Sequence, residues 1–149
     1  MTALPGSLLF VYGTLRRAVG APVHALFQKH ARFFDDGHIG GALYDLGNYP
    51  GLVPSTAGSD RVRGEVYVLR TPQPSLRLLD RYEGVEGTRS GEPAQYARLQ
   101  LPVTTRRHGR VSAWTYVYLL EVADGARIAS GDYVLHLRGR RGVRLPNVP

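Results

Sequence analysis

Residues 8–12, Leu-Leu-Phe-Val-Tyr, are a continuous apolar run of strand-forming residues, the pattern of a strand buried on both faces near the middle of a sheet. The run stops at Gly13-Thr14. Gly13 can adopt backbone angles closed to other residues, and Thr14 is placed to N-cap a short helical segment beginning at Leu15. Between 22 and 29 the apolar positions Val23, Leu26 and Phe27 have helical spacing. Residues 33–44 read as strand, with the alternation interrupted by Asp35-Asp36-Gly37 and by Gly40-Gly41. Residues 43–53 (Leu-Tyr-Asp-Leu-Gly-Asn-Tyr-Pro-Gly-Leu-Val) predict a loop with aromatic anchors, one of which, Tyr49, is a candidate pocket wall. A clear strand follows over 62–69. Its two faces carry Val62, Val66 and Val68 on one side and Glu65, Tyr67 and Leu69 on the other.

From 72 to 82 the positions Leu76, Leu79 and Tyr82, with Leu78 beside them, form one apolar stripe. This helix delivers Glu83, and Gly84 supplies its stop. Residues 96–103 alternate as a strand, and 110–120 alternate again around Trp114, Tyr116 and Tyr118. The turn at 106–109 makes these two a hairpin. A Ser130-Gly131-Asp132-Tyr133 turn precedes a last strand-like piece ending at Leu137, and the basic stretch 138–149 reads as a solvated tail. The elements fit one α+β domain spanning 1–149, without repeat or linker.

Composition narrows the function. A chain of 149 residues supports one sizeable core. There is no Cys, so disulfides and thiolate chemistry are out. The net charge of +7 comes from 19 basic against 12 acidic residues, and every basic residue except Lys29 is Arg. Outside 106–110 and 138–144 these charges are scattered rather than interleaved with aromatics, so no specific nucleic-acid partner is expected. No signal-peptide pattern opens the chain and no apolar run is long enough to cross a bilayer, which predicts a cytoplasmic protein with no membrane partner. The five histidines show no metal-ligand spacing, and the Gly-x-Ser-x-Gly, P-loop and Rossmann patterns are absent. Neither metal nor cofactor is expected.

Two stretches remain as carriers of chemistry. Glu83 stands at a helix C-terminus, where carbonyls and the macrodipole disfavour negative charge. A carboxylate there holds its proton more readily and suits a general base near neutral pH; the plainer alternative is an exposed acid at a frayed helix end. The glycine turn at 12–15 presents backbone N–H groups that suit a carboxylate or phosphate, or is an ordinary turn. Glu86, three residues beyond Glu83, is the competing acid.

The blocks Phe10-Val11-Tyr12-Gly13-Thr14-Leu15, Leu46-Gly47-Asn48-Tyr49-Pro50-Gly51-Leu52, Gly64-Glu65-Val66-Tyr67, Leu79-Asp80-Arg81-Tyr82-Glu83-Gly84, Tyr96-Ala97-Arg98 and Trp114-Thr115-Tyr116-Val117-Tyr118 together resemble the gamma-glutamylcyclotransferase-like superfamily. Among its branches the chain is most similar to the short gamma-glutamylamine cyclotransferase, AIG2-like one. The resemblance implies a small mixed β-barrel flanked by short helices. It implies that Tyr12, Gly13, Thr14 and Leu15 bind a substrate α-carboxylate largely through backbone amides and that Glu83 is the catalytic base. The implied reaction cyclises a γ-glutamyl amine or amide to 5-oxoproline without metal, cofactor or protein nucleophile. Tyr49, Arg98, Tyr116 and Tyr118 join the candidate substrate-binding set, with Arg98 free to pair with Glu83, Asp80 or the substrate. Two other readings stay open: a non-catalytic domain that binds a small anionic metabolite, and a basic RNA-binding adaptor acting through the 138–144 arginines.

Overall fold

The computed structural model describes residues 6–20, 22–56, 58–83, 85 and 94–139. Six strands appear in chain order: β1 (Leu8–Val11), β2 (Ala31–Asp45), β3 (Pro50–Pro54), β4 (Arg61–Leu69), β5 (Tyr96–Thr105) and β6 (Arg110–Tyr118). Helix α1 (Pro22–Gln28) follows β1, α2 (Pro72–Glu83) follows β4, and α3 (Tyr133–Gly139) follows β6. The sheet runs β3-β2-β4-β1-β6-β5 and closes where β2 meets β5 at Gly37↔Thr105 and His38↔Thr104. Five strands therefore form a barrel, and β3 extends the far half of β2. All pairings are antiparallel except β1 with β6.

The two-sided burial expected for the first strand is observed. Leu8, Phe10 and Tyr12 join Val62, Val66, Val103 and Val117 in one core cluster, while Leu9 and Val11 join Tyr67, Leu69, Leu76 and Leu79 in a second cluster under α2. One core fills the barrel and the other glues α2 to its wall, following the period-two alternation of strand side chains. Gly64 makes the close approach of β4 to β1 possible. A Cβ there would lie 2.3 Å from the Val11 carbonyl oxygen and 2.6 Å from the Phe10 ring.

Five sequence expectations need correction. Residues 43–53 are a hairpin: Tyr44 and Asp45 end β2, Gly51 and Pro50 pair back with them, and the loop shrinks to 46–49. Pro50, Gly51 and Pro54 hid β3, yet proline is tolerated in a strand that pairs on one side only. The final strand-like piece is the helix α3. The Asp132 carboxylate caps it, accepting the N–H groups of Val134 at 3.0 Å and Leu135 at 3.2 Å, and Tyr133, Val134 and Leu137 face the barrel core at helical spacing. Arg138 and Gly139 belong to this helix rather than to a tail, and residues 140–149 lie outside the described residues. On α2 the apolar stripe is narrower than expected, because Leu76 and Leu79 are buried while Leu78 is 50% and Tyr82 55% exposed. Last, Thr14 caps no helix. The chain makes a turn closed by Arg16 N–H to Gly13 C=O at 3.0 Å, then a single 3-10 turn over Arg17–Val19.

Candidate active site

A cleft opens where the end of β1 passes into that turn. It is lined by Phe10, Val11, Tyr12, Gly13, Thr14, Leu15, Tyr49, Pro50, Glu83, Tyr96 and Tyr116, with about 40 Å³ of free space. The turn is the floor. Among the described residues, the N–H groups of Thr14 and Leu15 take no backbone acceptor, so two donors stand side by side at the cleft. The turn is held from behind by two contacts. The Leu15 carbonyl lies 2.6 Å from Nδ1 of the buried His24 on α1. The N–H of Arg17 donates at 3.1 Å to Glu65, a carboxylate only 3% exposed that also accepts the Tyr67 hydroxyl at 2.8 Å and faces the Arg16 guanidinium at 3.7 Å.

Gly13 has a role different from the one its residue type suggested. Its φ is not positive. A Cβ there would meet Pro50 Cγ at 2.7 Å and Cδ at 2.9 Å, so glycine is needed for contact between the turn and β3. Tyr12 contributes mainly backbone. Its side chain is buried, the hydroxyl donates to the Tyr116 carbonyl at 2.7 Å and accepts Leu52 N–H at 3.2 Å, and it ties β1, β3 and β6 together at the cleft's base.

Glu83 is the last residue of α2 and reaches the cleft from the opposite side. Burial pushes its carboxyl up from the ordinary 4.5 to about 7. Among the described residues it forms no ion pair. Its competitor Glu86 lies outside the described residues. Burial, and then the Glu83 charge, raise the Tyr12 hydroxyl above its ordinary value. Tyr96 and Tyr116 are raised too, chiefly by burial, so all three hydroxyls stay neutral near pH 7.

Arg98 and Tyr118 stand outside the lining. Arg98 gives a two-pronged bond to Asp80, Nε to Oδ1 at 2.7 Å and Nη2 to Oδ2 at 3.1 Å, and lies over the Trp114 ring at 4.3 Å. Asp80 also accepts the Tyr116 hydroxyl at 2.7 Å. Burial alone would raise the Asp80 carboxyl, but the bonds from Arg98 and Tyr116 outweigh it and hold it below its ordinary value. The arginine thus takes up the neighbouring acid, and Glu83, one helical turn on, has no ion-pair partner among the described residues. Arg98→Ala should cost about 2 kcal/mol in a denaturant titration, since it strands a part-buried carboxylate and removes the stacking over Trp114. Tyr118 packs edge-on to Tyr96 at 5.3 Å and against Gly51, behind the wall.

Tyr96 is the functional candidate missed from sequence. Its hydroxyl donates to the Pro50 carbonyl at 2.9 Å and its ring lines the cleft beside Tyr49. The available signal was its position at the start of β5, opposite Tyr118 in the hairpin register.

The barrel with its short helices has the fold of AIG2-like, gamma-glutamylcyclotransferase-like proteins. The family described as "Gamma-glutamyl cyclotransferase, AIG2-like" matches residues 9–135, and the chain belongs to it. It is 39% identical over 129 residues to the gamma-glutamylcyclotransferase family protein YtfP of Escherichia coli strain K12, covering 85% of this chain and 95% of that one. Among solved structures, an AIG2-like protein from Mus musculus superposes with a TM-score of 0.66 at 27% identity, over 85% of this chain and 87% of the other. The protein PH0828 from Pyrococcus horikoshii shares the fold with a TM-score of 0.62 at 24% identity, over 91% and 98%.

Proposed function

We propose that the protein converts a γ-glutamyl amine or amide to 5-oxoproline, with Glu83 as general base and then general acid. The observation that carries this is Glu83, without an ion pair among the described residues and pushed up to about 7, lining the same cleft as the N–H donors of the 13–15 turn. The turn amides hold the substrate's α-carboxylate. Glu83 takes a proton from the α-amino group, and the freed nitrogen attacks the γ-carbonyl carbon. When that adduct collapses, the bond to the departing nitrogen breaks and Glu83 returns its proton to the leaving amine. A five-membered ring closes readily once its ends are aligned, so one base and a rigid cradle suffice. A carboxyl titrating near the working pH serves in both directions.

At the rim of the cleft Tyr49, 37% exposed, donates its hydroxyl to Gln95 Oε1 at 3.2 Å. The neutral tyrosines at 12, 96 and 116 supply a wall of low polarity around the reacting atoms. Incubation with γ-glutamyl amines, γ-glutamyl amino acids and glutathione, following 5-oxoproline, tests the reading. At least one member should be turned over, and a folded protein that turns over none would refute it.

A further inference from the structure

The fold gathers basic residues that are scattered in the sequence onto one outer face of the barrel. On β2, His38 pairs directly with Arg63 of β4 on one side and with Thr104 of β5 on the other, and Thr104 pairs with Arg110 of β6. Directly paired residues share a sheet face, so Arg63, His38, Thr104 and Arg110 make one outward row across four strands, roughly 14 Å wide. Arg61 lies two positions along β4 from Arg63, and Arg106 two positions along from Thr104. Two recesses meet at His38 and Thr104. One, of about 690 Å³, takes in Arg61 and Arg110; the other, of about 530 Å³, takes in Arg63 and Arg106.

Arg61, Arg63, Arg106 and Arg110 are exposed, and none forms an ion pair among the described residues. Of the acids lining the recesses, Asp60 is paired with Arg127 and Asp132 with Arg16. Asp36 alone remains to offset four guanidiniums. Grouped guanidiniums of one sign attract a counter-anion, and the guanidinium fork matches phosphate oxygens two at a time. Neither recess is lined by a Phe, Tyr or Trp side chain, so there is no platform for stacking bases. The site reads charge, not sequence. It also lies far from the cleft, since Thr104 is eight residues along β5 from Tyr96, roughly 27 Å for an extended strand.

We propose that this face is a second binding site for an oligophosphate anion, held by Arg63, His38 and Arg110 across the barrel with Arg61 and Arg106 on the flanks. His38 supplies a specific readout. Burial, and then the charges of Arg61 and Arg63, hold its imidazole below the ordinary value. Arg110 and Arg106 face it from the β5–β6 side, and Asp36 and Asp60 are the acids nearest the row. A bound polyanion screens the guanidiniums and lets His38 take up a proton.

The test is calorimetric titration of the full chain with tripolyphosphate, with imidazole chemical shifts followed by NMR against pH. Binding should weaken about tenfold or more between 50 and 200 mM salt, and the His38 pKa should rise by about one unit on saturation. Arg63→Glu and Arg110→Glu should each weaken binding about tenfold, whereas Arg70→Glu, exposed beyond the other end of β4, should change it less than twofold. Undetectable binding, an unmoved His38, or equal loss from Arg70→Glu would overturn the assignment. So would single-stranded RNA binding much more tightly than a polyphosphate of equal charge.

Discussion

Glu83→Gln is expected to lower 5-oxoproline formation by roughly 100-fold or more while the protein stays folded, the scale of losing a general base. The substitution keeps shape and removes only the proton-accepting oxygen. A second readout separates this from damage to the fold. The Glu83 carboxyl titrates near 7 in the folded chain against 4.5 ordinarily, because burial disfavours its charged form. A raised carboxyl leaves stability intact at low pH, and that contribution is lost as pH rises through 7. Relative to wild type, Glu83→Gln should therefore be more stable at pH 8, by on the order of 2 kcal/mol, with no difference below about pH 4.5. A variant that loses activity and gains alkaline stability identifies a part-buried functional acid. Retained activity would remove Glu83 from the mechanism.

Gly13→Val is expected to have the next largest effect. The added Cβ would lie 2.7 Å from the Pro50 ring, closer than side-chain atoms sit in real proteins, so either the turn or the head of β3 must shift. Both line the cleft, and the turn carries the N–H pair proposed to hold the carboxylate. Affinity for 5-oxoproline should fall at least about tenfold by calorimetry, since catalytic and binding groups tolerate little misplacement. Gly13→Ala places the same Cβ with less bulk beyond it and should fall between the two. Circular dichroism and the thermal midpoint report whether the barrel survives. A folded Gly13→Val protein with unchanged affinity would show that the turn does not cradle the ligand.

The barrel was legible through the family resemblance, which implied a small mixed β-barrel flanked by short helices, and the chain folds as one. Glu83 could be singled out as a candidate because helix spacing, a C-terminal carboxylate and Gly84 are all local signals, and the 12–15 turn because a β-rich apolar run ends abruptly in glycine; the structure brings both to one cleft. Closure of β2 onto β5 is not legible in the local pattern, since it rests on two pairings between residues more than sixty positions apart, and only the resemblance implied it. The last helix was misjudged because Tyr-Val-Leu-His-Leu alternates like a strand; the Asp132 cap and the burial of Tyr133, Val134 and Leu137 decided for the helix. Arg98 illustrates a different limit. Its charge suggested three partners, and only the geometry shows Asp80 taking both prongs of the guanidinium. The basic row around His38 is likewise a product of register, because nothing in the order of residues places Arg63 beside Arg110.

The measurement that bears most directly on the proposed chemistry is the pH dependence of kcat/KM for 5-oxoproline release from the γ-glutamyl compound the protein turns over best. With Glu83 as the base, activity should rise tenfold per pH unit at low pH and bend over at an apparent pKa near 7, with one amine released per 5-oxoproline formed. A profile that stays flat from about pH 5 to pH 8 would contradict the account.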